Sequence, residues 1–194
     1  MTLQSSAERL IPHAITLRGE RLVLRPLAED DWDTLLRWNN DPEVLYYAEG
    51  DVVEGYTLDE VQELYRSISR LAFCFMMEFE GRPIGECWLQ RMNLARILEQ
   101  YPGQDVRRID LLIGEKALWG RGLGTEAIRL LAGFALDHEN ADALFACDVA
   151  DYNHGSLRAF EKAGFAICAT HAQPPGQKAR LKHDLILRRP ASQA

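Results

Sequence analysis

Apolar residues recur first at alternate positions. Residues 15–26, ITLRGERLVLRP, alternate around a glycine as a strand does. From Ala28 to Trp38 the period lengthens. Acids crowd the first turn and Leu35 and Leu36 face inward, which predicts a helix. Asn39-Asn40-Asp41-Pro42 stops it. Thr57 opens a second helix as its N-cap, and Glu60, three residues on, completes a capping box. Leu71 to Phe79 is a mostly apolar run of strand length, and Glu80-Gly81-Arg82-Pro83 turns it into a second strand from about Ile84 to Met92. Residues 93–104 form a polar connection ending in Tyr101-Pro102-Gly103, before a strand over Val106 to Ile113. Glycines then precede apolar residues at Ile128, Leu131, Ala132 and Ala135, which share one helix face. Leu144 to Val149 reads as a short strand, and Ser156 to Ala163 as a helix stopped by Gly164 in the C-cap glycine position. Closing strands over 165–170 and 180–188 flank the turn Pro174-Pro175-Gly176. Helices alternating with strands, with hairpins at front and back, predict an α/β or α+β fold with a mixed sheet. Without repeat, linker or low-complexity stretch, the pattern reads as one domain over residues 1–194, its core at about 15–188.

Composition narrows the class. At 194 residues, 47% hydrophobic and 26% charged, the chain can bury a substantial core and is not of disordered type. No run approaches the ~18 apolar residues of a membrane span. The start, MTLQSSAERLIPHA, lacks the basic and apolar regions of a signal peptide, so a cytoplasmic location is expected. A net charge of −7 argues against nucleic acid and anionic membrane as partners. Cys74, Cys87, Cys147 and Cys168 are too far apart for a zinc pair, and three lie in apolar runs that read as buried reduced thiols. The five histidines are scattered, so no metal site is expected.

The charge is uneven. Residues 26–63 hold twelve acids and one base, Arg37, a net −11 that leaves +4 for the rest of a chain of −7. Trp32, Trp38, Tyr46, Tyr47 and Tyr56 lie among these acids. Acids interleaved with aromatics suit a cationic ligand. They equally suit solvated helices with their aromatic faces turned inward.

Candidate chemistry gathers after the strand VRRIDLLI. Trp119-Gly120-Arg121-Gly122-Leu123-Gly124-Thr125 leads into a helix. Glycines let the chain turn tightly with main-chain N–H groups exposed, the helix start adds partial positive charge, and Arg121 adds a full one. Together they would cradle a phosphate. The run is neither a P-loop, lacking GK[ST], nor a dinucleotide fingerprint, since Ala127 stands where the third glycine belongs. An ordinary glycine-rich strand–helix turn has the same pattern. The second element, NHGSLRAFEKAGF over 153–165, places Asn153 as a cap or ligand amide before a short helix.

GRGLGT opening a helix, followed about 28 residues later by N-x-x-S-x-x-A-F-E-K-A-G-F, resembles the GCN5-related N-acetyltransferase (GNAT) family, over nearly the whole chain from Ile15 to Arg188. The start, RLVLRPLAEDDWDTLLRWNNDPEV, is similar to two branches. One acetylates ribosomal-protein N-termini; the other holds aminoglycoside 6′-N-acetyltransferases. RIDLLIGEKALWGRGLGTEAIRLL is closer to the second. Asp110 stands twelve residues before Gly122, and Asp148 twelve before Phe160, as in that branch.

The resemblance implies a GNAT fold: a single mixed, mostly antiparallel sheet, splayed at its centre and flanked by helices. It implies acetyl-CoA as co-substrate, held by Trp119, Gly120, Arg121, Gly122, Leu123, Gly124 and Thr125, with the pantetheine arm along Leu112 and Ile113 and with Asn153 and Phe160 nearby. A main-chain N–H there would polarise the thioester carbonyl. The acceptor amine would attack directly in a ternary complex. Asp110 is then expected as primary base or anchor and Asp148 as second anchor, since a carboxylate can hold an ammonium and take its proton. A strand aspartate is also often a polar edge, and one before a helix often a cap. Trp32, Tyr47, Glu86 and Trp88 are expected to line the acceptor site. Phe160 stands where many relatives carry a tyrosine thought to protonate the leaving thiolate, and it has no hydroxyl. The expected acceptor is a small cationic amine, aminoglycoside-like, with the chain a monomer or homodimer. A protein N-terminal acetyltransferase, a siderophore-pathway acyltransferase and a non-catalytic acyl-CoA-binding module are the other readings.

Overall fold

A computed structural model describes residues 9–48 and 54–189. The opening alternation forms two strands, β1 (Leu17–Arg18) and β2 (Leu22–Pro26), because the chain turns at Gly19, whose N–H donates to the Leu22 carbonyl at 2.8 Å. A single turn of 3-10 helix over Glu29–Asp31 leads into α1 (Trp32–Trp38). The expected stop at 39–42 also starts α2 (Pro42–Ala48), which the reading of periodicity passed over. Its signal is local. Asp41 Oδ1 accepts the N–H groups of Glu43 and Val44 at 2.9 and 3.3 Å, and proline is at home in the first helical position.

α3 (Leu58–Ser69) begins at Thr57 with the predicted capping box: Thr57 Oγ1 accepts from Glu60 N–H, and Glu60 Oε2 accepts from Thr57 N–H at 2.7 Å. β3 (Ala72–Phe79) and β4 (Arg82–Arg91) form the long central hairpin. The 93–104 connection contains a short helix, α4 (Ala95–Leu98). β5 (Val106–Ile113), α5 (Leu123–Gly133), β6 (Ala143–Ala150) and α6 (His154–Lys162) follow. At the end of α6, Gly164 takes φ 98°, its N–H donates to Glu161 and that of Phe165 to Phe160, and the two phenylalanine rings meet edge-on at 5.1 Å. This is the expected glycine cap, with the apolar contact that accompanies it. β7 (Ala166–Ala172) and β8 (Leu181–Arg188) close the sheet.

Among the described residues the strands form one mixed sheet of eight, in the order β1-β2-β3-β4-β5-β6-β8-β7. Only β5 and β6 are parallel neighbours. Leu24, Phe75, Met77, Leu89 and Ile109 on one face bury against Leu123, Ile128 and Leu131 of α5 and Phe160 of α6. On the other, Cys74 and Met76 lie under Trp32, Leu35 and Trp38 of α1 and Val61 and Tyr65 of α3. Burying such side chains, at about 1.5–3 kcal/mol each, drives the layering. Cys74 and Cys87 are buried as expected, whereas Cys168 is exposed. No helix is long and apolar enough to cross a membrane, and no group of three metal-ligating side chains occurs among the described residues.

Candidate active site

β5 and β6 pair only at their starts, Val106 to Arg108 against Ala143 to Phe145. Beyond this they part. β6 also slips its register with β8 between Ala146 and Val149. Within the slip Asp148 takes φ 56°, a left-handed conformation that aspartate tolerates better than most residues. Bulges of this kind re-aim side chains. The sheet opens here into a cleft lined by Ile109, Asp110 and Leu111 on one side and Ala146 to Ala150 on the other.

The opening exposes main chain. Gly114 N–H donates to Ile84 of the β4 side at 2.9 Å. Strand residues alternate sides, so Leu112 also turns its N–H to β4, while Leu111 and Ile113 turn theirs to the opening. The Ile113 carbonyl accepts from Trp119 Nε1 at 2.8 Å. Of the two residues expected to meet a pantetheine arm, Ile113 thus offers its main chain to the cleft. Leu112 gives its own to the β4 ladder, and Leu111 takes its place.

The cleft widens into a hollow of about 460 Å³ bounded by Ile113, the loop 118–125 and the start of α6. Gly122, at φ 80°, is the N-cap of α5. The first intrahelical bond runs from Glu126 N–H to Gly122 at 3.1 Å. The N–H groups of Leu123, Gly124 and Thr125 therefore have no carbonyl behind them, and helix polarity adds positive charge where they point. Arg121 does not line this hollow; its carbonyl accepts from Arg21 Nη1 at 3.0 Å, and Arg21 Nε pairs with Glu126 at 3.0 Å, so the β1–β2 turn pins the loop. The cations that do face the hollow are Arg158 and Lys162, four apart on α6. The free N–H groups, the two cations and the glycine turn fit a pyrophosphate-bearing co-substrate such as CoA.

Asn153 is more committed than expected. Its Oδ1 accepts from Ser156 N–H at 3.1 Å, capping α6, and its Nδ2 donates to the Tyr47 carbonyl at 3.1 Å, tying α2 across the cleft. An amide carries two N–H donors, so one remains for a ligand. The Tyr47 ring meets Trp119 edge-on at 5.5 Å. Phe160 closes the cleft floor against Phe165, and the hydroxyl side chains lining the cleft are Tyr47, Tyr152 and Ser156.

Asp110 and Asp148 come together in this cleft, and each meets an arginine. Arg108 grips Asp110 through both oxygens, at 2.6 and 2.7 Å. Arg96 of α4 donates to Asp148 Oδ2 at 2.9 Å. The same guanidinium holds Asp184 of β8 at 2.9 and 3.2 Å. Burial pushes the Asp184 carboxyl up, but the hydrogen bonds from Arg96, Asp148 N–H and His171 outweigh it and hold it below the usual carboxylate range.

The expected acceptor residues divide. Tyr47 lines the cleft. Trp32 instead lies in the α1 core with Arg66 over its ring at 5.4 Å. Glu86 is buried beneath α3, accepting from the Tyr65 hydroxyl at 3.3 Å. Trp88 pairs in register with Asp110 but packs against Tyr65, and its indole N–H is buried with no partner among the described residues. Much of the acidic segment is occupied structurally. Asp31 pairs with Arg25 through both oxygens, Glu29 with Arg66, Asp41 and Glu43 with Lys116, and Glu60 caps α3. Glu49 and Asp51 lie outside the described residues. Arg96, Arg108, Asp184, Arg158 and Lys162 escaped the sequence reading. The i, i+4 spacing of the last two on a polar helix face was the one available signal.

The chain matches the model of the acetyltransferase (GNAT) domain over residues 21–166. It is 26% identical over 167 residues to aminoglycoside N(6′)-acetyltransferase type 1 of Klebsiella pneumoniae, covering 84% of this chain and 82% of that one. Its fold is similar to that of AAC(6′)-Ib solved with ribostamycin and coenzyme A (TM-score 0.72, 23% identity, 88% of this chain and 94% of that one). It is likewise similar to spermidine N-acetyltransferase from Vibrio cholerae solved with CoA and spermine (TM-score 0.70, 19% identity, 88% and 96%).

Proposed function

The chain belongs to the acetyltransferase (GNAT) family, and from that premise we propose that it transfers the acetyl group of acetyl-CoA to a primary amine of a small cationic acceptor. The observation that carries this reading is the continuity of the cleft. Two adjoining hollows share Tyr47, Leu111, Tyr152, Asn153 and Ser156 as lining; one reaches Ile113 and the start of α5, the other Asp110 and Asp148. When bound, acetyl-CoA supplies the activated acetyl group as a thioester.

Each part of the chain then has a task. Leu123, Gly124 and Thr125 N–H, with Arg158 and Lys162, hold phosphate oxygens. The N–H groups of Leu111 and Ile113 stand where they can polarise a thioester carbonyl, as oxyanion-hole donors do. Asp148 Oδ1, free of partners among the described residues, anchors the acceptor ammonium. Asp110 is held by Arg108 on one lone pair of each oxygen, and its remaining lone pairs can take the amine proton, directly or through one water, as the new C–N bond forms. The thioester C–S bond breaks, and the CoA thiolate leaves and takes a proton from water, since Phe160 offers none. Holding amine and thioester together supplies much of the rate. The cationic character of the acceptor is supported by Asp148 Oδ1, the carboxylate oxygen left open in the cleft, and by the small polyamines and aminoglycosides bound or acetylated by the relatives.

The test is thiol release from acetyl-CoA by the purified protein, against aminoglycosides, polyamines and short peptides with free N-termini. Release with aminoglycosides or polyamines is the expected result. Release with peptides alone would overturn the acceptor class. Tight CoA binding without release from any acceptor would overturn the enzymatic reading.

A further inference from the structure

Asp184 is the most committed carboxylate near the cleft, and nothing in the chemistry above uses it. It stands on β8 opposite the slip in β6, 3% exposed. Its Oδ1 accepts the backbone N–H of Asp148 at 2.9 Å and Arg96 Nη2 at 2.9 Å. Its Oδ2 meets Arg96 Nε at 3.2 Å and His171 Nε2 of β7 at 2.8 Å. Arg96 Nη2 reaches on to Asp148 Oδ2 at 2.9 Å, closing a ring from Asp184 through the main chain of Asp148 to its side chain and back. Burying a carboxylate is costly unless hydrogen bonds compensate it. Here they converge on a residue whose left-handed backbone is unusual and whose side chain remains 42% exposed in the cleft.

We infer that Asp184 is a positioning residue for the acceptor amine, acting through Asp148 and Arg96. It holds the bulge that turns Asp148 into the cleft. It also fixes the guanidinium that occupies Asp148 Oδ2, leaving Oδ1 as the face offered to the ammonium. His171 holds the other oxygen of Asp184 and so sets the plane of its carboxylate. The inference rests on the acetyltransferase reading above.

The test compares wild type, Asp184→Asn, Asp148→Asn and the double variant in thiol-release kinetics, with the amine that wild type acetylates best. Asp184→Asn is expected to raise the acceptor KM about tenfold while the acetyl-CoA KM stays within about twofold. In the double variant the second substitution should add less than about twofold to the loss from Asp148→Asn alone, because both act on one contact. A merely structural role would move both KM values together, or would multiply the two losses, and either result overturns the inference. Should Asp184→Asn fail to fold, Arg96→Gln removes the side-chain half of the ring from a more exposed position and is expected to give the same one-sided KM change; an unchanged acceptor KM would overturn the inference. Hydrogen exchange gives a readout free of turnover. The Asp148 amide should exchange faster in Asp184→Ala, which removes its acceptor, while Leu144 to Ala146 stay protected, and an unchanged Asp148 amide overturns the inference. Wild-type protein that acetylates no amine would refute the underlying reading. Normal acceptor kinetics in the variant refute only the role of Asp184.

Discussion

Gly122→Ala tests the proposed phosphate cradle at the N-cap of α5. Gly122 takes φ 80°, and the one atom near a Cβ built there is Arg21 Nη2 at 3.6 Å, ordinary contact distance. The substitution therefore meets no steric obstacle, and its cost is conformational. Left-handed backbone costs a non-glycine residue about 1–2 kcal/mol. That cost must surface in one of two places. If the pinned loop keeps its shape, through Arg21 on the Arg121 carbonyl and Trp119 on Ile113, the folded state carries the strain. At about 2–4 °C per kcal/mol for a chain of this size, Tm then falls by about 2–8 °C. If the loop relaxes instead, the N–H groups of Leu123, Gly124 and Thr125 must be restored on binding, and 1–2 kcal/mol becomes about a five- to thirtyfold loss of CoA affinity. Thermal unfolding with and without CoA, together with calorimetric titration of CoA, separates the two. Gly176→Ala is the control, since Gly176 shares the backbone class at φ 91°, has nothing within 4 Å, and lies in the β7–β8 turn. It should lower Tm and leave CoA affinity alone. A Gly122→Ala protein with Tm within about 1 °C and CoA affinity within about twofold of wild type would refute the reasoning.

Glu86 carries a pH prediction. Burial, and next the nearby Asp110 carboxylate, push its carboxyl well above the usual range, against a smaller opposite pull from the Tyr65 hydroxyl. A carboxyl raised on folding favours the native state fully below its unfolded value, about 4.3, and that contribution is lost as pH climbs toward the raised folded value. Glu86→Gln should therefore gain stability relative to wild type as pH rises from 5 to 8 in denaturant titrations, and a gap that stays constant or narrows would refute the assignment. Arg158→Gln combined with Lys162→Gln removes the two cations facing the hollow. At about 0.2–1 kcal/mol for each exposed charge, CoA affinity should fall about two- to thirtyfold and its salt dependence flatten. Affinity with an unaltered salt slope would mean that neither cation meets a phosphate.

Much of the site is local in sequence, and those parts could be read in advance. The turn 119–125, the cap at Asn153 and the glycine stop at 164 each depend on a few consecutive residues. Backbone geometry and hydrogen bonding within one turn are set by residue type. Helix α2 has the same kind of signal in Asp41-Pro42-Glu43, where the residues that stop α1 also cap and start the next helix.

Long-range partners were not visible in this way. The periodicity of VRRIDLLI determines a strand and which residues alternate on it, because a strand repeats every two residues. It also places Asp110 on the strand that precedes the glycine turn. It does not say that Arg108, two residues earlier on the same face, grips Asp110. Nor does it say that Arg96, 52 positions from Asp148, bridges it to Asp184. Glu86 and Trp88 alternate as acceptor-lining residues would, yet the packing of α3 over that face buries Glu86 and turns Trp88 onto Tyr65. The sequence alone determined most of the elements, the caps at Thr57, Asn153 and Gly164 and the glycine turn 119–125, since these rest on short-range sterics and hydrogen bonds. Only the tertiary structure decided which carboxylate keeps a free oxygen and which is spent, because that depends on charges brought together by strand order and by the bulge that parts β6 from β8.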